Sequence, residues 1–261
     1  MTTFSDWLAL REPADAAARS RDLVDVLRPL LPGPVAVHDL GCGTGSMGRW
    51  LAPLLPVEQR WVLHDRDPGL LAVAASQPPA GVPVETRIDD VTALSPGALD
   101  GAGLVTSSAI VDVLTEGELA GFADGCATAR VPVLVTLEVT GVVELEPADP
   151  LDADLRNAFN DHQRREARGG RLLGPDAPAT TAEAFRSRGY DVHTAPSPWR
   201  LDASMSELLR AWMAGWAGAA VEQRPDLAEP ARAWTKTRWA QLDQGALAVT
   251  VHHEDLLAVA R

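Results

Sequence analysis

The chain has 261 residues, enough for one α/β domain with a substantial core and some elaboration. Its net charge of −13 disfavours a nucleic-acid partner, because such a surface repels a phosphate backbone. The sequence holds 46% hydrophobic residues and no apolar run long enough to span a bilayer. Residues Met1 to Asp6 lack the basic start and apolar stretch of a signal peptide, so we expect a cytoplasmic protein with no membrane partner. The two cysteines, Cys42 and Cys126, are too few for a disulfide framework or a cysteine-only zinc site.

Helices and strands are predicted to alternate through the first half of the chain. In chain order we predict a helix over Asp15–Leu31, a strand over Val35–Asp39, a helix over Met47–Leu55, a strand over Trp61–Asp65, a helix from Asp67, strands over Val84–Ile88 and Gly103–Ser107, a helix over Glu116–Thr128, and a strand over Val131–Thr140. This alternation predicts a doubly wound parallel sheet.

The pattern changes after Thr140. We predict a short strand extension over Val142–Leu145, helices over Asp152–Arg168 and Ala182–Arg188, and strands over Tyr190–Ala195 and Ala246–Val251, with a loop over Gly169–Pro178. Two further helices, Ser204–Glu222 and Leu227–Gln241, separate the last two strands and carry Trp212, Trp216, Trp234 and Trp239. Tryptophan at helical spacing is most often core, but a lid over a substrate pocket and a dimer interface both stay open. The oligomeric state is therefore not predicted.

A glycine-rich loop follows the first predicted strand. Asp39 ends the strand, and Gly41, Gly43 and Gly45 follow at alternate positions. Glycine lets the backbone turn sharply and approach a ligand, and the helix that follows directs free N–H groups at the same place. Gly43 to Gly48 also matches the dinucleotide pattern G-x-G-x-x-G, but Asp39 would repel a pyrophosphate, whereas it can pair with a cationic amino group.

With an acid before its first glycine, this loop resembles motif I of the class I S-adenosylmethionine-dependent methyltransferases. The resemblance covers about Val35 to Thr140 and implies a doubly wound α/β sheet of seven strands, the last of them antiparallel. An N-terminal helix and a helical insert between the last two strands would complete the fold. We expect a single methyltransferase domain over 1–261, with a cofactor-binding half over 33–140 and a substrate lid from 141–178 and 197–245.

The resemblance also implies which residues bind S-adenosylmethionine, with S-adenosylhomocysteine as the product. Asp39 and the backbones of Gly41 and Gly43 would face the methionine portion, and Asp65 would accept hydrogen bonds from the ribose hydroxyls. Asp90 and Val91 would bracket the adenine. A slip of one residue would put Asp89 there instead.

Three further residues are assigned to the methionine end. Ser107, at the end of the fourth strand, would lie under the sulfonium. Arg11 and Arg19 could clasp the cofactor carboxylate, as guanidinium geometry allows. Solvated surface arginines remain the alternative for both.

The acceptor is predicted to be a small molecule, methylated at oxygen, nitrogen or carbon. Ser107–Ile110 stands where methyltransferases of exocyclic base amines or glutamine amides have an Asn/Asp-Pro-Pro-aromatic motif, and neither cysteine follows a proline. In-line methyl transfer needs positioning and, for a protonated nucleophile, a general base. His162 and Asp112 are the candidate bases, because both follow strand ends.

No metal site is predicted, because adjacent residues of His252–Asp255 would point to opposite faces of a strand. A nicotinamide-dependent oxidoreductase and a binding protein that holds S-adenosylmethionine without turnover are the alternative functions.

Overall fold

The computed structural model describes residues 3–94 and 97–261. The segment Met1 to Asp6, from which we expect no signal peptide, lies partly outside the described residues. The helices are α1 Phe4–Ala18, α2 Arg21–Leu27, α3 Ser46–Leu51, α4 Pro68–Ser76, α5 Glu116–Ala129, α6 Asp152–Gln163, α7 Ala177–Arg186, α8 Ser206–Gln223 and α9 Ala228–Asp243. The strands are β1 Val35–Leu40, β2 Gln59–Asp65, β3 Val84–Ile88, β4 Leu104–Ser108, β5 Val133–Glu146, β6 Glu166–Ala167, β7 Gly170–Arg171, β8 Tyr190–Pro196, β9 Trp199–Leu201 and β10 Ala248–Ala260. None of these helices has the length and hydropathy needed to cross a bilayer.

The central sheet has the strand order β3-β2-β1-β4-β5-β10-β8. Strands β1 to β5 pair in parallel, and β10 pairs antiparallel with β5 and β8. The predicted doubly wound α/β sheet with an antiparallel last strand is therefore confirmed. One short strand of this sheet was not predicted: β9 pairs with the first half of β10 and makes the sheet eight-stranded.

The last strand is longer than predicted. We expected it to end at Val251, but β10 continues through the polar run His252–Asp255 to Ala260. The strand accommodates this run because Asp255, which is fully buried, accepts backbone hydrogen bonds from Ser20 (2.7 Å) and Leu137 (2.8 Å). The pairing with β5 shifts register on both sides of the run. The polar run that we expected to follow the strand therefore lies inside it, and its Asp255 connects β10 to Ser20 and to β5.

The N-terminal region forms two helices, so the prediction of one helix over Asp15–Leu31 is wrong. The chain breaks at Arg19 and Ser20, between α1 and α2. Ser20 caps α2 by accepting a hydrogen bond from the Leu23 backbone, while its own N–H donates to Asp255. This break turns Arg19 inward, where its exposure is 3%.

Two helix ends also differ from prediction. Helix α6 ends at Gln163 rather than Arg168, because the chain turns there into the β6–β7 hairpin. Helix α7 begins at Ala177, five positions before the predicted start at Ala182. The extension predicted after Thr140 exists, but as a continuation of β5 rather than a separate strand.

Buried apolar side chains form two clusters on the sheet faces and a third beneath the insert. The third cluster joins α6, α8 and α9 to β9 and to the paired ends of β5 and β10. Trp212, Trp216 and Trp234 are buried in it, whereas Trp239 is 40% exposed. The insert therefore has a core of its own, built over the antiparallel end of the sheet.

Candidate functional site

The glycine loop after β1 turns sharply and is closely packed. Gly41, Gly43 and Gly45 have φ of +67°, +55° and +83°, a region that other residues adopt only with strain. A Cβ atom on Gly41 would lie 2.8 Å from Ile110 Cδ1, and one on Gly43 would lie 3.1 Å from Leu8 Cδ1. Glycine is thus needed both for the turn and for the approach of α1 and the segment after β4.

Two opposite charges beside this loop have buried atoms without partners. Asp39 is 1% exposed, and its Oδ1 accepts a hydrogen bond from Thr106 Oγ1 at 2.7 Å. Its Oδ2 has no partner among the described residues, and burial raises the pKa of Asp39 to about 7. Arg19 Nη2 donates to Ser46 Oγ and Ser108 Oγ, both at 3.1 Å, while its Nε and Nη1 have no partner within residues 3–94 and 97–261. The site can therefore receive both an ammonium and a carboxylate.

Asp65 and Asp67 have separate roles in the structure. Asp67 is the N-cap of α4 and accepts hydrogen bonds from the backbones of Gly69 and Leu70. Asp65, at the end of β2, accepts from the Gly43 and Asp67 backbones, each at 2.9 Å. Asp65 therefore adjoins the glycine loop and is not the helix cap, and its role toward a ribose remains a prediction.

Asp89 and Asp90 are directed to different partners. Asp89 Oδ2 lies 2.7 Å from His64 Nδ1, on the neighbouring strand β2. Asp90 accepts from the Thr92 backbone at 2.9 Å and caps the short turn that begins at Val91. Asp89 is thus engaged by His64 and Asp90 by Thr92, and which of them faces an adenine remains a prediction.

Ser107 is directed into the sheet. It is fully buried, and its hydroxyl donates to the Leu40 carbonyl at 3.2 Å. The next residue, Ser108, has its hydroxyl against Arg19 and also accepts from Thr136 Oγ1 at 3.0 Å. Of the two serines, Ser108 is therefore the one whose side chain contacts Arg19.

A cavity of about 180 Å³ lies between the end of β4, the middle of β5 and the insert. Its wall is rich in aromatic rings, contributed by Trp7, Phe159, Trp199, Trp212 and Trp216. Ala109 also lines it, directly after Ser108, so the cavity and the glycine-loop site share the end of β4. Trp212 and Trp216 are thus at once core residues of the insert and walls of the cavity.

Arg11 and Arg19, predicted to act together, lie at different places. Arg11 lines the cavity, not the glycine loop. Its Nε donates to both carboxylate oxygens of Asp15, at 2.9 and 3.2 Å, and its guanidinium carbon is 4.9 Å from the Trp199 ring centroid. The contact with Asp15 and the stacking fix the orientation of this guanidinium.

Asp112 also lines the cavity, on a turn that a buried carboxylate fixes. Glu138, on β5, accepts hydrogen bonds from the backbones of Ile110, Val111 and Asp112, at 3.1, 3.1 and 3.0 Å. Asp112 Oδ2 accepts from Gln163 Nε2 at 3.2 Å, and burial raises the pKa of Asp112. Burial and the adjacent Asp112 carboxylate raise the pKa of Glu138 to about 8. Sequence reasoning missed Glu138, although an acid inside the apolar run of β5 is a visible signal.

His162, the predicted base, does not line the cavity, whereas His253 does. His162 is on α6 but is not among the residues that line the cavity, whereas its neighbours Asn160 and Gln163 are. His253, which we considered only as part of a polar run, lines the cavity and is 5% exposed. Burial lowers the pKa of His253 to about 3, so the ring is neutral. Within the described part of the chain, no three His, Cys, Asp or Glu side chains form a group suited to a metal ion.

Comparison with known proteins gives matches in structure alone. No protein-family model matches this sequence, and no curated protein matches it. The mycolic acid cyclopropane synthase CmaA1, solved with S-adenosylhomocysteine and CTAB, aligns with a TM-score of 0.51 at 14% identity over 97% of this chain and 93% of its own. BH2331 of Bacillus halodurans, a methyltransferase by assignment, aligns with a TM-score of 0.50 at 14% identity over 92% and 97%. The YcgJ protein of Bacillus subtilis gives 0.51 at 12% identity over 93% and 100%. With its strand order, this similarity shows that the chain has the fold of the class I S-adenosylmethionine-dependent methyltransferases.

Proposed function

We propose that the protein is an S-adenosylmethionine-dependent methyltransferase that acts on a small molecule. The observation that carries this proposal is the pair of buried, unpartnered groups beside the glycine loop, Asp39 Oδ2 and the Nε and Nη1 atoms of Arg19. The methionine portion of S-adenosylmethionine has one ammonium and one carboxylate, so each group would find a complementary charge. A buried polar atom without a partner is costly, which makes a ligand the natural explanation for two of them together.

The other proposed cofactor contacts are made by residues of the strand ends and of the glycine loop. Asp65, held by two backbone N–H groups, keeps lone pairs free to accept hydrogen bonds from ribose hydroxyls. Asp90 and Val91 would bracket the adenine, and the Gly41 and Gly43 backbones would approach the methionine portion. The cofactor, when bound, supplies a methyl group activated by its sulfonium.

The residues of this chain supply positioning, exclusion of water and a proton acceptor. The aromatic wall of the cavity excludes water from the acceptor. Asp112 is the proposed general base, because it is the candidate base that lines the cavity, and burial raises its pKa, which makes its carboxylate a stronger proton acceptor. Glu138 orients Asp112 through the backbone of its turn. His162 remains a candidate without a contact to the cavity.

The segments 141–178 and 197–245 are proposed as the substrate lid. Phe159 and Gln163 come from the first segment, and Trp199, Trp212 and Trp216 from the second, and all five line the cavity. The acceptor would therefore be enclosed between the sheet and the insert. The net charge of −13 supports a small-molecule acceptor over a nucleic acid.

The test is calorimetric titration of the protein with S-adenosylhomocysteine and, separately, with NADH. Micromolar binding of S-adenosylhomocysteine alone supports the proposal, and binding of NADH alone would replace it with a nicotinamide-dependent oxidoreductase. Asp65→Ala and Asp67→Ala form a matched pair of variants. The first should weaken S-adenosylhomocysteine binding by about 2–4 kcal/mol, because it removes charge-assisted hydrogen bonds. The second should lower only stability, by about 1 kcal/mol, through loss of a helix cap.

A further inference from the structure

We propose that the methyl acceptor is a hydroxylated single-ring aromatic acid whose carboxylate is held by Arg11 and whose hydroxyl gives its proton to Asp112. This inference rests on the proposed function and adds the chemical class of the acceptor. Its first support is size. A cavity of about 180 Å³ is slightly larger than the engineered cavity of roughly 150 Å³ that binds benzene. One ring with small substituents therefore fills it.

The second support is the shape of the wall. Trp212 and Trp216 stack with centroids 5.3 Å apart and an interplanar angle of 19°, and Phe159 lies 6.3 Å from Trp216. Trp7 and Trp199 form a second tilted pair, with centroids 6.4 Å apart. Flat rings on more than one side favour a planar ligand, because aromatic rings gain from stacked and edge-to-face contacts.

The third support is the unused hydrogen-bonding capacity of Arg11. Asp15 takes only its Nε, and the two terminal amino groups make no hydrogen bond within residues 3–94 and 97–261. The guanidinium carbon lies beside two rings, 4.9 Å from the centroid of Trp199 and 6.0 Å from that of Trp7. A fixed planar fork with free N–H groups matches a carboxylate in a bidentate contact.

The Asp15 carboxylate beside Arg11 is not available to a cationic acceptor. Asp15 is 4% exposed, and its carboxylate is already occupied by Arg11 and by Trp199 Nε1 at 2.9 Å. Asp15 therefore has little capacity left for a ligand ammonium. His253 is neutral, since burial holds its pKa at about 3. Of the residues that the structure describes, Arg11 is thus the cationic side chain that lines the cavity, and Asp112 is the anionic one.

The fourth support is a set of unpaired polar atoms in the same wall. Gln163 Oε1, Trp216 Nε1 and His253 Nδ1 are buried and have no partner in the described part of the chain. They offer an acceptor and a donor for a hydroxyl, and Gln163 also donates to Asp112. A hydroxyl beside Asp112 would therefore meet hydrogen-bonding groups as well as a base.

The reaction balances with these groups and with S-adenosylmethionine as the methyl donor. The acceptor hydroxyl transfers its proton to the Asp112 carboxylate, and its oxygen uses the freed electron pair to form the new bond to the methyl carbon. The bond from that carbon to sulfur breaks, and its electron pair stays on sulfur, which becomes a neutral thioether. Asp112 then returns the proton to solvent.

The test compares ligands on protein saturated with S-adenosylhomocysteine, with binding followed by tryptophan fluorescence and calorimetry. The ligands are the three hydroxybenzoate isomers, phenol, 4-hydroxybenzylamine and cyclohexanecarboxylate. We expect one hydroxybenzoate to bind at least about tenfold tighter, ~1.4 kcal/mol, than each of the other three compounds. Tighter binding of the amine or of the saturated acid, or no binding of any hydroxybenzoate, would overturn the proposal.

Variants test the assignment of Arg11 separately. Arg11→Gln should weaken hydroxybenzoate binding about tenfold and leave phenol binding unchanged, while Arg21→Gln, at an exposed arginine of α2, should change neither. An equal effect of Arg11→Gln on both ligands would overturn the role of Arg11. The ligand comparison on the unmodified protein remains decisive if Arg11→Gln fails to fold. Failure to bind S-adenosylhomocysteine would refute the proposed function, whereas its binding without any hydroxybenzoate binding would refute only the acceptor class.

Discussion

Replacement of Asp39 by asparagine should change how cofactor affinity depends on pH. Burial raises the pKa of Asp39 from 3.8 to about 7 in the protein without ligand. A ligand ammonium requires the charged carboxylate, so binding weakens by the factor 1 + 10^(pKa − pH). From pH 7.5 to pH 6.0 this factor rises about eightfold, which corresponds to about 1 kcal/mol.

The assay is calorimetric titration with S-adenosylhomocysteine at the two pH values. Asp39→Asn should bind more weakly at pH 7.5 and should lose the eightfold dependence. Protonation of the free ligand is the same in both experiments. The difference in pH dependence between the two proteins therefore reports on Asp39. If the affinity of the original protein is the same at both pH values, or if Asp39→Asn keeps the dependence, the assignment of Asp39 to the ammonium is refuted.

As pH rises, ionisation of Asp39 should strengthen cofactor binding but lower the free energy of unfolding. Because the folded pKa of Asp39 is above its unfolded value, the folded state holds the proton more tightly, and this group lowers the free energy of unfolding as pH rises from about 4 to 7. The full cost, on the order of 4 kcal/mol, is present above pH 7. Urea unfolding at pH 7.5 should therefore find Asp39→Asn at least as stable as the original protein. A marked loss of stability would show that the carboxylate is structural.

Three further outcomes are expected. Asp112→Asn should lower kcat by about 10² to 10⁴-fold and remove the rise of rate with pH, while calorimetry finds S-adenosylhomocysteine binding unchanged; unchanged kcat would exclude Asp112 as the base. Arg238→Met should lower the free energy of unfolding by about 3–5 kcal/mol, because the fully buried guanidinium donates to both carboxylate oxygens of Asp152 at 2.7 Å. An effect under about 1 kcal/mol in urea unfolding would contradict this. Arg19→Lys should weaken S-adenosylhomocysteine binding about tenfold, because a lysine lacks the planar fork, and full affinity by calorimetry would remove Arg19 from the site.

Local sequence was enough wherever the signal lies within a few neighbouring residues. The turn after β1 requires Gly41, Gly43 and Gly45 because their φ values are positive, and that requirement is visible in the sequence. Asp67 before Pro68 predicted the start of α4, since the acid caps and the proline fits the first turn. The alternation of strands and helices predicted a doubly wound sheet. Each type of element could be recognised because the spacing of its apolar residues reflects which side chains face the core.

Prediction from the sequence failed where the conformation of a residue depends on a partner that is distant in the chain. The break between α1 and α2 depends on Ser20 meeting Asp255, and the same contact allows β10 to continue through a polar run. Glu138 holds the turn of Asp112 from another strand, and nothing in the residues around Asp112 predicts this.

The sequence by itself determined the fold class, the glycine loop and the acids at the ends of β1 and β2, because those features rest on backbone conformation and on the period of apolar side chains. Tertiary structure decided that Arg19 adjoins the glycine loop while Arg11 lines the cavity, and that Asp112 rather than His162 reaches it. The physical reason is that burial and charge pairing are properties of contacts between distant segments. They exist only once the sheet has brought its strand ends and the insert together.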